Sequence, residues 1–239
     1  MIFGRRRKRE PEAEPDVDAT VDGPDDIDDT ADTPVEKADG EPDWDELDSR
    51  EWRDQGPFDI DEVHIDDDEV QRLDLGSLVL TPIHGSQLRL QIDESTQKVI
   101  SALVMVEDSA LELMLFAAPR SGGQWPEMRE GLIADAQSKG AQVGLAVGPF
   151  GTEVRRLMPA KTPDGEDAVQ PSRVFAAEGP RWMLRGMLMG AAAMVNGEEG
   201  PAGALLDVFR DAVVRRGDEP MAPGEVIGMK LPESMTPQG

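Results

Sequence analysis

The chain of 239 residues has no cysteine and no tyrosine, and only two histidines, His64 and His84. The missing cysteine excludes disulfides, thiolate metal sites and cysteine nucleophiles. With so little histidine, general acid–base chemistry at neutral pH would fall to carboxylates with shifted pKa values. No apolar run approaches the roughly 18–20 residues of a membrane-spanning helix, so an integral membrane protein is not expected. No apolar stretch of secretory-signal length follows the first residues either, and the expectation is a cytoplasmic chain.

Acidic residues are abundant. The net charge is −25, and it is unevenly placed: residues 1–70 hold 27 acids against 8 bases, while residues 71–239 hold 22 against 16. A broad basic face for duplex nucleic acid is therefore not expected. Five bases in a row, Arg5 to Arg9, form the tip of this acidic leader. They read as a solvated charged tip or as a weak, salt-sensitive contact with nucleic acid or an anionic membrane surface.

Composition divides the chain into four parts. Residues 1–43 combine the basic tip with an acidic tail too poor in apolar residues to offset the entropy of ordering, and read as disordered. Residues 44–70 form an acidic linker in which apolar side chains return. Trp44 and Leu47 lie three apart, so a short helix would present both on one side. With Trp52 and Phe58 they either dock on the protein's own core or form an arm for a partner's groove. Residues 71–232 form the globular part, and 233–239 a terminal coil.

Within the globular part, alternation and turn signals give strands at 77–81, 86–92, 98–106 and 110–117. Then "WPEMREGLIADAQSKG" sets Trp125, Met128, Leu132, Ile133 and Ala136 on one helical face, with Pro126 suited to its start and Gly140 to its stop. Four further strands follow in "AQVGLAVGPF", "GTEVRRLMPA", "DAVQPSRVFAAEG" and "RWMLRGMLMG". A last helix is predicted over 202–215, with Leu205, Leu206, Phe209 and Val213 in one stripe, and a short strand near Val226 to Leu231 follows it. Two amphipathic helices on a largely antiparallel sheet define an α+β fold.

The candidate sites are few. In "RSGGQW" the glycine pair lacks the lysine and Ser or Thr of a phosphate-binding loop, so a strand-to-helix turn is the first expectation. Arg120 and Trp125 at a helix start make an anion site the alternative. Arg155, Arg156, Arg173, Arg181 and Arg185 fall on predicted strands or their ends, where neighbouring strands would gather several on one face. They read as solvated or carboxylate-paired arginines, or as a basic patch for a ligand, for a partner or for the chain's own acidic tail. The acids of "DIDEVHIDDDE" lack the spacing of a calcium loop, and His64 has no zinc-ligand companions. No metal and no cofactor is expected.

Several strings together, "GPFD" (56–59), "RLDLGSL" (72–78), "FAAPRSGGQWPEMR" (116–129), "GPFGTE" (148–153), "GPRWMLRG" (179–186) and "VFRDAVVRRGDEPMAPGE" (208–225), resemble an uncharacterised actinobacterial family, domain of unknown function 3710. That resemblance implies a domain without an assigned activity or catalytic residue. The order of strands and helices is also similar to the Mog1/PsbP-like layout, which implies a binding or assembly module. The function expected is a non-catalytic protein-interaction module with an acidic arm. Two alternatives remain: an enzyme or small anionic-ligand binder using an arginine-lined face, and contact through the basic tip.

Overall fold

A computed structural model of the chain describes residues 40–65 and 69–232. The expected disordered arm lies outside them except for residues 40–43, of which Asp43 caps the first helix by accepting from the Glu46 amide. The predicted terminal coil at 233–239 also lies outside. Every helix and strand named below belongs to one compact unit that begins at Pro42.

The order begins with helix α1, Trp44–Asp48, then strand β1, Phe58–Asp59, a short 3-10 turn, and strands β2, Leu73–Asp74, and β3, Leu78–Leu80. Next come β4, Gln87–Ile92, β5, Val99–Val106, and β6, Ser109–Ala117, followed by helix α2, Gln124–Ser138. Strands β7, Gln142–Gly148, β8, Gly151–Lys161, β9, Asp167–Gly179, and β10, Trp182–Gly190, precede helix α3, Pro201–Arg210, and strand β11, Val213–Val214. The fold is α+β, as the alternation and helical stripes predict.

Seven strands form one antiparallel sheet in the order β4-β5-β6-β10-β9-β8-β7, and the other four form a small sheet, β1-β11-β3-β2. The period-two rule sends alternate side chains to opposite faces. On one face Leu111, Leu113, Leu115, Phe175, Trp182, Leu184 and Leu188 pack with α3 and the small sheet. On the other Phe116, Val154, Val174 and Met183 pack with Trp125 of α2. Leu205, Leu206 and Phe209 of α3 are fully buried, each stabilising by roughly 1.5–3 kcal/mol. Phe150, Phe175 and Phe209 meet at centroid distances of 4.6–5.5 Å.

Three expectations need correction. The strand predicted at 77–81 does not join the main sheet; it pairs with β2 and β11. The last helix stops at Arg210 rather than at 215, and Val213 and Val214 leave the stripe as strand β11, beside Phe58 and Asp59 on one side and Val79 and Leu78 on the other. β-branched residues suit that pairing better than a further helical turn. The short strand predicted near 226–231 is reduced to two bridges, Phe116 with Val226 and Val99 with Met229. No helix of the described residues is long and apolar enough to cross a membrane.

Candidate functional site

The turn between β6 and α2 is built on glycine. Gly122 and Gly123 have φ values of 71° and 87°, a region that side chains with a Cβ rarely adopt. Helix α2 therefore starts without a side-chain cap from its own loop. The missing acceptor comes from β9 instead: Glu178 Oε1 accepts the Trp125 amide at 2.6 Å. A carboxylate thus sits where a helix start would attract an external anion, and "RSGGQW" is the turn first expected, closed by the chain's own acid. The Trp125 indole donates to the Thr152 carbonyl at 2.9 Å, which fixes α2 to β8. Pro126 stands third in the helix rather than first, among the amides that have no intrahelical acceptor.

Around this helix start lies a cleft of about 1010 Å³, with walls from residues 48–53, 120–123, 125–126, 150–152 and 176–181. Trp52 closes one side. Its indole donates to the Leu47 carbonyl at 2.8 Å, and its ring lies over Gly151, where a Cβ would meet the indole nitrogen at 2.8 Å. Asp48, at the end of α1 and in the same wall, forms a buried ion pair with Arg129 of α2 at 2.6 Å. Arg53 forms a forked pair with Glu62, one arm at 2.8 Å, and its guanidinium lies 5.4 Å above the Trp182 ring. The hydrogen bond from Arg53 draws the Glu62 pKa below the ordinary carboxylate value.

The polar groups of the cleft are incompletely satisfied. Among the described residues, five buried side-chain polar atoms lack a hydrogen-bond partner, and three belong to residues of this cleft: Arg53 Nε, Thr152 Oγ1 and Glu178 Oε2. A fourth, Gln124 Oε1, belongs to the first residue of α2. Such groups are uncommon in folded proteins and cost about 1–3 kcal/mol each. Arg120 is exposed. Arg181, at the lip, is held at φ 63°, a position that glycine or asparagine ordinarily fills. Its carbonyl is pinned by the Ala118 amide and the Arg216 side chain, both at 3.1 Å. Its own guanidinium reaches the Gly217 carbonyl at 3.2 Å, with the Asp218 carboxylate 3.9 Å away.

Three of the strings noted in the sequence supply walls of this cleft. The sequence matches the family described as protein of unknown function (DUF3710) over residues 56–238. The chain belongs to that family. No curated protein and no solved structure matches it. The cleft wall at 48–53 precedes the matched region, so the end of α1 and the segment after it add a side to a site otherwise made of family residues.

Of the residues singled out in the sequence, Arg120, Trp125, Arg181 and Trp52 come together here. The other arginines do not share one face. Arg155 and Arg173 are cross-strand partners on the α3 side, where Arg173 is fully buried against Glu153 at 3.0 Å. Arg173 also donates to the Val195 and Gly197 carbonyls at 3.1 and 2.8 Å, so it clasps the loop after β10. Arg155 pairs with the same Glu153 at 2.8 Å. Arg156 and Arg185 point to the opposite face, where burial lowers both pKa values below the ordinary arginine value. Arg185 lies 5.4 Å over the Phe116 ring and 3.5 Å from Glu112.

Of the residues expected to form an arm, Leu47 is buried and Trp44 half-buried in α1. Phe58 lies in β1 beside Val213. Glu178, Arg53 and Thr152 were not singled out by the sequence. A visible signal existed for Glu178 alone: an acid closing the apolar run "VFAA" immediately before a Gly-Pro turn.

Proposed function

We propose that the protein is a non-catalytic interaction module whose cleft takes an extended, acidic segment of a partner protein. The observation that carries this reading is that the residues lining one cleft combine charges of both signs, Arg53, Arg120 and Arg181 with Glu178, and that Arg53 and Glu178 each keep a buried polar atom without a partner. A simple anion offers acceptors only and would meet the Glu178 carboxylate unfavourably. A peptide offers both, with backbone N–H groups for Glu178 and carboxylates for Arg120 and Arg181. The left-handed Arg181 adds support, since such strain persists where a side chain is held for a purpose other than stability.

The test is a titration of short Asp- and Glu-rich peptides, read by tryptophan fluorescence, because Trp52 and Trp125 line the cleft. Arg120→Ala and Arg181→Gly are each expected to weaken binding about tenfold or more. Saturable binding to nucleotides or small anionic metabolites, lost in Arg120→Ala, with no binding of the peptides, would replace this reading with that of a small-anion binder.

A further inference from the structure

The seven-stranded sheet ends in two edges of different chemistry. At one end β4 carries the exposed Arg89 and a register shift between Gln91 and Ile92. A charge and a bulge are both devices that discourage another strand from adding. At the other end β7 reads "QVGLAVG", with no charge and no proline, and it pairs with β8 in unbroken register from Gln142 with Leu157 to Gly148 with Gly151. Being last in the sheet order, it presents a row of outward backbone groups to solvent. Val147 is 49% exposed there, among the largest apolar exposures of the described residues.

We propose that β7 is a self-pairing edge, through which two copies of this chain join antiparallel to make one continuous sheet. Symmetry fixes the register. A two-fold axis normal to the sheet keeps each face on its own side, so paired residues must both be odd or both be even. Full overlap of Gln142–Gly148 then places the axis at Leu145. Val143 faces Val147 of the second copy, Gly144 faces Ala146, and Leu145 faces its own counterpart. β-branched side chains meet on the α2 face, where Val143 and Leu145 already pack against the core, and the exposed Val147 is covered. Small residues meet on the other face. No charge lies in the strand, so a second copy brings no like charge into the pairing. This self-complementarity selects a second copy as the occupant. The pairing is short beside a standard interface, so the dimer is concentration-dependent. The net charge of −25 opposes association at long range, and added salt should strengthen it.

Sedimentation equilibrium of the full chain is the first measurement. The expected result is a concentration-dependent dimer, tightened by salt, whose dissociation constant rises at least about tenfold in Val147→Lys. Because the protein has no cysteine, single cysteines then report the register. A Cβ at Gly144 meets nothing within 4 Å, so Gly144→Cys is tolerated. Gly144→Cys mixed with Ala146→Cys should form an intermolecular disulfide, since opposed Cα atoms lie about 4.5–5.5 Å apart. Gly144→Cys alone should not, because its counterpart is displaced by two residues along the strand. A wild-type monomer at all concentrations, a dimer indifferent to Val147→Lys, or equal cross-linking of Gly144→Cys with itself would overturn the proposal. Thermal melts confirm that each variant is folded.

Discussion

At the scale of single residues, five arginines of similar appearance in the sequence have different roles. Alternation along a strand shows that Arg155 and Arg156 must face opposite sides, but not what waits on each side. Arg173 meets a carboxylate as buried as itself, Glu153, plus two carbonyls. Removing it leaves Glu153 with only the partly exposed Arg155. Arg173→Ala is therefore expected to lower unfolding free energy by about 3–5 kcal/mol in urea, and Arg155→Ala by less than about 1 kcal/mol. Arg156 is the reverse case: half-buried and desolvated, it donates to Ser172 Oγ at 3.1 Å and to the Met187 sulfur, and it forms no ion pair among the described residues. Arg156→Met removes the cost of desolvating a charge while keeping the packing. In the same assay its stability should be unchanged or higher by about 1 kcal/mol.

The Arg53–Glu62 pair gives the residue scale a pH dependence. Hydrogen bonding from Arg53 depresses the Glu62 pKa in the folded state. A depressed carboxyl contributes stability that is present above its unfolded value and is lost as pH falls through its folded value. The stability difference between the wild type and Glu62→Gln should therefore be constant near neutrality. It should shrink below about pH 4, as thermal melts across an acid series would show.

At the scale of elements, local periodicity made most of the fold legible. Alternation located β4 to β6 and β7 to β10, and the spacing from Trp125 to Ala136 located α2. What stayed hidden depends on contacts between residues far apart in sequence. Val213 continues the stripe of α3, and only its neighbours Phe58 and Val79 turn it into a strand. The same holds for residues 44–65, whose acidic composition suggests a linker. In the folded unit Leu47 is buried, Asp48 neutralises Arg129, and Asp59 accepts the Trp182 indole at 2.7 Å. A chain beginning at Gln71 would leave Arg129 buried without its carboxylate and β11 without β1. It is expected to lose at least about 3–5 kcal/mol, measured by denaturant unfolding beside the full chain. An independent linker would leave the midpoint unchanged.

At the scale of the whole molecule, the cleft joins segments as far apart in sequence as 48–53 and 176–181. Their meeting could not be read from spacing, though the turn at "RSGGQW" marked Arg120 and Trp125 as candidates, and the predicted strand ends marked Arg181. The overall charge is legible without any structure, and it governs a global property. Contact pairs such as Arg129 with Asp48 and Arg173 with Glu153 lie at 2.6 and 3.0 Å and are largely buried, so mobile ions screen them little. Repulsion among the charges that sum to −25 acts over longer distances through solvent. It is screened as the Debye length falls from about 30 Å at 0.01 M salt to about 8 Å at 0.15 M. The screened component is thus the destabilising one, and salt should raise the melting temperature over this range. A calorimetric melt showing a fall instead would mean that exposed pairs such as Lys139 with Asp135 and Arg50 with Glu46 outweigh the long-range repulsion.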